Sequence, residues 1–293
     1  MDPNTLLTRN HGVASWAALQ KAGVSRTDLR QALHTGALTK LRRGWYASDR
    51  AHPAVAASVR AGGVCSCVSA LRLHGVWIPE GYGMAHMRAR SAAHNQRLPG
   101  LCHRHGRPLR EDGAVDDVPT AFAHAVRCLD AEGIVVVCDS LMNLGLMSRD
   151  EIEVALRSSP RKTQALLDKC ARSEAGTETM ARLRLRRHHL SIQTQVQIPD
   201  VGRVDLLVGR RLIIEIDGQE YHHTPEQFYT DRARDLAAFR LGYLPVRLGY
   251  RQVAVPEEWT ISEEAILAIV RRGEHLAALP NADLRSNPAL SLP

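Results

Sequence analysis

The chain has 293 residues, 44% of them hydrophobic and 24% charged, with a net charge of +7. That length and balance suit about two globular domains, and the positive excess favours a polyanionic partner. The apolar runs at 133–138 and 212–214 are too short to span a bilayer. The opening segment 1–9 has no apolar core of signal-peptide length, so a cytoplasmic protein with no membrane partner is expected.

Residues 1–50 hold much of the charge excess, with eight lysines and arginines against three aspartates. Residues 14–21 read as a helix, with Trp16, Leu19 and Ala22 on a shared side. Gly23-Val24-Ser25 forms a turn, and Ser25 is an N-cap for a second helix from Arg26 to about His34, ended by Gly36. Residues 38–47 then read as a β-wing. This is the pattern of a winged helix-turn-helix. It makes Arg26, Arg30, Lys40, Arg42 and Arg43 the candidate nucleic-acid contacts, with Thr27 and Gln31 beside them.

Residues 51–170 are expected as a mixed scaffold or recognition domain, with helix-like spacing at 68–74, 119–129, 135–144 and 149–156. Six cysteines lie between residues 65 and 170. Cys65 and Cys67 with Cys102, His103 and His105 offer zinc-ligand chemistry. Their spacings match no zinc module, however, so reduced buried thiols are the expectation.

Residues 10–47 and the stretch Cys67-Val68-Ser69-Ala70-Leu71-Arg72-Leu73-His74-Gly75 resemble the AbiEi-type antitoxins of actinobacteria. That resemblance implies a DNA-binding winged helix followed by an α/β domain.

The chemistry concentrates in residues 202–218. Two β-rich runs flank Gly209-Arg210-Arg211, a hairpin signal. Each run places an acid among aliphatic residues, which is costly when unpaired and is tolerated where the acid binds a metal or a cation, or where the strand faces solvent. A three-residue turn pairs Val208 with Leu212 and, three steps along, sets Asp205 opposite Glu215. A two-residue turn would separate the two acids onto opposite faces. Asp217 follows on the face of Glu215, so three carboxylates should converge where a hard divalent cation removes their repulsion. Residues 173–188 read as a helix that points Glu178 inward, with Glu174 as the competing acid and Arg182 and Arg186 as candidate phosphate contacts. Gln195, Gln197 and Ile198 suggest a preceding strand. Thr224-Pro225 starts a helix carrying Asp231-Arg232-Ala233-Arg234-Asp235, and residues 243–248 return as a strand whose Pro245 requires an edge or a bulge.

Taken in order, Gly-Thr-Glu, Val-Asp-Leu, Ile-Glu-Ile-Asp-Gly, Tyr-His-His, Asp-Arg-x-Arg-Asp and Gly-Tyr-Leu-Pro-Val-Arg resemble the Vsr-like endonuclease domains of the P-D-(D/E)-x-K superfamily, over about a hundred residues. The resemblance implies an α/β sandwich on a mixed sheet at 171–275, within a chain of α/β (α+β overall) class. It implies magnesium, or manganese, held by Glu178, Asp205 and Glu215, and His222 or His223 near the scissile phosphate. Arg232 and Arg234 would be structural or phosphate-facing. One departure stands out: the lysine usual two residues beyond the second acid is replaced by Asp217, so a histidine or an arginine must substitute or activity is weakened. The expected function is a DNA endonuclease. The alternative is an AbiEi-like DNA-binding regulator with a degenerate nuclease domain, and RNA is a third substrate class. Protein partners and oligomeric state are not legible, and residues 279–293 are expected to be a disordered tail.

Overall fold

The computed structural model describes residues 3–83, 85–89, 100–102, 111, 113–218 and 225–279. The chain divides into two compact units, Met1–Ile134 with Leu144–Leu167, and Val135–Asn143 with Asp168–Pro293. Among the described residues no helix is long and apolar enough to cross a membrane. The expected tail beyond residue 279 lies outside the described residues.

The first unit opens with α1 (Pro3–Arg9), β1 (Val13–Ser15), α2 (Trp16–Lys21) and α3 (Arg26–His34), followed by β2 (Leu38–Arg42) and β3 (Trp45–Ser48). The strands form one antiparallel sheet in the order β1-β3-β2. Local chemistry explains the helix starts. Ser15 caps α2, and Ser25 exchanges hydrogen bonds with Asp28 in a reciprocal capping box at α3. Ala14, Leu19, Leu29 and Leu38 make a small core. The module does not stand alone: Arg42 donates to Gly62 O at 3.1 Å and Gly63 O at 3.2 Å, and pairs with Glu111 at 2.9 Å. These bonds tie residues 1–50 to the rest of the first unit.

The chain continues through α4 (Pro53–Arg60), β4 (Gly63–Cys65), α5 (Cys67–Leu73), β5 (Met87–Ala89), α6 (Val118–Ala125), α7 (Ala131–Asn143), α8 (Arg149–Leu156), α9 (Arg161–Gln164) and a 3-10 turn at Ala165–Lys169. Helix α8 begins at the Ser148–Glu151 capping box, at the residue its spacing predicts.

The second unit is built on a four-stranded sheet, β6 (Ile192–Ile198), β7 (Gly202–Val208), β8 (Leu212–Asp217) and β9 (Leu244–Gly249), in that order. Strands β6, β7 and β8 are antiparallel neighbours and β9 runs parallel to β8, so the sheet is mixed. Val208 pairs with Leu212 across Gly209-Arg210-Arg211, the three-residue turn expected. Gly209 sits at φ 65, where an added Cβ would lie 2.6 Å from His275 O. A larger residue would therefore break the turn that sets the register. Pro245 falls on edge strand β9, where its missing N–H leaves no ladder bond unmade. Among the described residues, the helices of this unit are residues 135–143 of α7 together with α10 (Gly176–Arg186), α11 (Pro225–Arg240), α12 (Tyr250–Ala254) and α13 (Pro256–Arg271). Ile198, Val201, Val204, Leu207, Ile213, Ala238 and Tyr243 form a core between sheet and α11. The helices and mixed sheet together give an α/β, or α+β, fold.

Candidate metal and phosphate site

Asp205 and Glu215 meet at the point where the β7–β8 ladder ends. Backbone pairing stops at Leu206 and Ile214, and side chains then replace the ladder. Asp205 N–H donates to Glu215 Oε2 at 3.2 Å, and Ile216 N–H donates to Asp205 Oδ2 at 2.9 Å. Burial is the largest influence on both carboxyl groups, followed for Glu215 by the charge of Asp205. It pushes Asp205 upward and Glu215 up to about 7. A divalent cation bound by both carboxylates would relieve that cost.

Glu178, on α10, is 5% exposed. Its carboxylate accepts from Ala175 N at 2.9 Å, Glu174 N at 3.1 Å, Ser173 Oγ at 3.2 Å and Gln195 Nε2 at 2.9 Å. Burial, and then Asp205, still push it up to about 7. Gln195 is the link, because its Nε2 also lies 3.3 Å from Asp205 Oδ1. Sequence reasoning missed this role, having used Gln195 only as a strand residue. Two further observations single it out. Its φ is 52, a left-handed conformation inside a strand of the kind that costs on the order of 1–3 kcal/mol and clusters at functional sites. Its Oε1 is buried without a hydrogen-bond partner, which costs about 1–3 kcal/mol unless a ligand satisfies it. Asp205, Glu215 and Glu178 offer the carboxylate oxygens that a hard cation of the magnesium or manganese kind takes, but among the described residues these three are not gathered within ligand distance of one another.

Asp217 does not join this group. It turns to Arg247, 3.5 Å away, with its side chain 31% exposed. Arg247 lies beside Glu215 in the β8–β9 register and also meets Asp235 at 3.0 Å. Arg234, on α11, donates to Val201 O at 2.9 Å and Arg203 O at 2.6 Å, and pairs with Glu215 Oε1 at 3.1 Å. Two guanidinium groups thus flank Glu215. His222 and His223 lie outside the described residues. Glu174 is half exposed and pairs with Arg203 at 2.6 Å, leaving Glu178 as the inward acid.

Arg182 corrects the expectation for α10. The sequence makes it a candidate phosphate contact, but its side chain is 0% exposed and donates to Asp139 Oδ2 at 2.6 Å and Lys169 O at 2.6 Å. The adjoining Thr179 hydroxyl donates to Asp139 at 2.8 Å. Asp139 lies on α7, remote in sequence, so helical spacing alone could not reveal the partner. Arg186 remains exposed. In the first unit Arg26, Arg30, Lys40 and Arg43 are exposed, whereas Arg42 is engaged in internal bonds and stacks 5.3 Å from the Trp45 ring centroid.

Neither a protein-family model nor a curated protein matches the sequence.

Proposed function

We propose that the protein is a metal-dependent DNA endonuclease whose second unit hydrolyses phosphodiester bonds and whose winged module engages the duplex. The observation that carries this reading is the buried Asp205–Glu215 carboxyl pair, raised in pKa, beside the unpartnered Gln195 Oε1. Groups so perturbed cluster at catalytic sites.

Asp205 and Glu215 would hold magnesium or manganese, with Gln195 Oε1 and Glu178 completing the oxygen set. When bound, the cation supplies Lewis-acid stabilisation of charge developing on the attacked phosphate. Gln195 Nε2 bridges Glu178 and Asp205, and these carboxylates would have to close on an ion to bind it together. Arg247 stands beside Glu215 where it can neutralise negative charge, and we assign it the electrostatic part that the missing lysine plays elsewhere. Proton transfer from water, or to the leaving oxygen, is assigned to His222 or His223 on sequence grounds. Exposed Arg26, Arg30, Lys40 and Arg43 would track phosphates.

A second reading is favoured by the Arg234–Glu215 contact at 3.1 Å: a guanidinium in place of a cation would describe a degenerate nuclease fold in an AbiEi-like DNA-binding regulator. One assay separates them. Plasmid and mismatched duplex are incubated with the full chain and magnesium or manganese, beside Asp205→Asn and Glu215→Ala. Metal-dependent cleavage lost in both variants supports the nuclease. Binding without cleavage at any metal concentration supports the regulator.

A further inference from the structure

Cys67, His86, Cys102 and Cys128 come together in the first unit. One sulfur or ring nitrogen from each lies within 4.8 Å of all the others. Cys102 Sγ is 3.8 Å from His86 Nδ1. The spacings fit no zinc motif, which is why the sequence reads the cysteines as buried thiols. Its candidate set of Cys65, Cys67, Cys102, His103 and His105 does not include His86 or Cys128, Cys65 is not in the cluster, and His103 and His105 lie outside the described residues.

We propose that these four residues form a structural zinc site. A tetrahedral ion with Zn–S near 2.3 Å and Zn–N near 2.0–2.1 Å separates its ligands by about 3.5–3.8 Å. The Cys102–His86 distance of 3.8 Å is close to that edge, and no pair is more than 4.8 Å apart, so at most about an ångström of closure is needed. Three thiolates and an imidazole are a soft set that selects zinc and disfavours magnesium. Four protein ligands leave no open position, so the site is structural and not catalytic.

Each ligand is held by its own backbone, independently of an ion. Cys67, first residue of α5, adopts φ 55, a left-handed conformation that a non-glycine residue keeps only when its surroundings impose it. His86 donates its N–H to Ser69 Oγ at 2.8 Å and accepts from Ser66 N at 3.0 Å. Cys102 N–H bonds Met87 O at 2.8 Å and Cys128 N–H bonds Ala125 O at 2.9 Å. The ligands come from the start of α5, the approach to β5, the segment after Leu101 and the turn after α6. The sheet in this region is β4 with β5, three residues each, too short to be stable by itself. A metal joining four distant segments supplies the missing cross-link, and coordination releases the thiol protons.

The full chain, purified under reducing conditions without chelator, is expected to carry about one zinc per molecule by elemental analysis. Replacing zinc with Co2+ should give a thiolate-to-cobalt charge-transfer band and the visible bands of tetrahedral cobalt. Cys102→Ser and Cys128→Ser should weaken zinc binding at least about tenfold. His86→Cys should retain the ion with a shifted cobalt spectrum, and Cys170→Ser should change nothing. A reduced wild-type chain that carries no zinc and develops no cobalt spectrum overturns the proposal. So does zinc retained undiminished in a folded Cys102→Ser chain, or a disulfide among Cys67, Cys102 and Cys128 in the freshly purified protein. The cobalt spectrum of the unsubstituted chain decides the matter even if a serine variant fails to fold.

Discussion

Arg182 and Asp139 form an ion pair sealed from solvent: Nη2 lies 2.6 Å from Oδ2, and the side chains are 0% and 2% exposed. Such a pair costs desolvation on both sides, and burial pushes Asp139 upward even though Arg182 opposes the shift. Removing one partner leaves the other charge buried and alone. Arg182→Ala is therefore expected to lose about 3–5 kcal/mol of stability in urea unfolding, while the apolar double change Arg182→Met with Asp139→Leu should recover much of it. Arg186→Ala, on the exposed side of the same helix, should cost under about 0.5 kcal/mol. Equal small losses for Arg182→Ala and Arg186→Ala would contradict the buried pairing.

The acid cluster makes stability depend on pH with a definite sign. Glu178 and Glu215 are each raised to about 7 in the fold, against an ordinary value near 4.3. The folded chain binds more protons than the unfolded one between those limits. The stabilisation from these groups is whole below the unfolded value and is lost as pH rises through about 7. Magnesium or manganese should reverse the loss, raising the melting temperature more at pH 8 than at pH 5, with protons released on binding near pH 6.5. Glu215→Gln should abolish the metal response while keeping, or raising, metal-free stability at pH 8. A melting temperature indifferent to both metal and pH across this range would remove the cation from the site.

Deleting residues 1–50 would be a poor test of DNA contact, because Arg42 is bonded to Gly62, Gly63 and Glu111. Changing the exposed Arg26, Arg30, Lys40 and Arg43 to alanine together avoids that damage. The variant should unfold like wild type, bind duplex more weakly, and show a shallower salt dependence by about 0.9 logarithmic units for each phosphate that is no longer neutralised. Arg42→Ala, by contrast, should lower stability. Unchanged affinity and salt slope in the fourfold variant would mark the module as a protein-interaction surface.

Single-turnover cleavage with saturating metal should separate the groups around the site. His222→Ala or His223→Ala should slow cleavage by about 10²–10⁴ if that imidazole moves a proton, and flatten the rate profile between about pH 5.5 and 7.5. Arg247→Lys keeps the charge but loses the fork that grips Asp235. It should lower the rate without altering the pH profile. Wild-type rates in both histidine variants would leave proton transfer to another group.

What could be read from the sequence is what neighbouring residues decide among themselves. Ser25 with Asp28 and Ser148 with Glu151 set helix starts through bonds spanning three residues. Gly209-Arg210-Arg211 sets the β7–β8 register through one turn, and the alternation of the strands then brings Asp205 to Glu215 without further information. The tertiary structure alone decided the rest, because those contacts join residues whose spacing carries no period. Arg182 lies on a polar-looking helix, and only the arrival of Asp139 from α7 makes its burial tolerable. Gln195 gains its role from standing between Glu178 and Asp205, which reach it from a helix and from another strand. Cys67, His86, Cys102 and Cys128 belong to four segments whose proximity depends on how α5, β5 and α6 pack. Local hydrogen bonding and side-chain alternation are written into short stretches of chain; which distant polar groups share a buried volume is settled only when the elements close on one another.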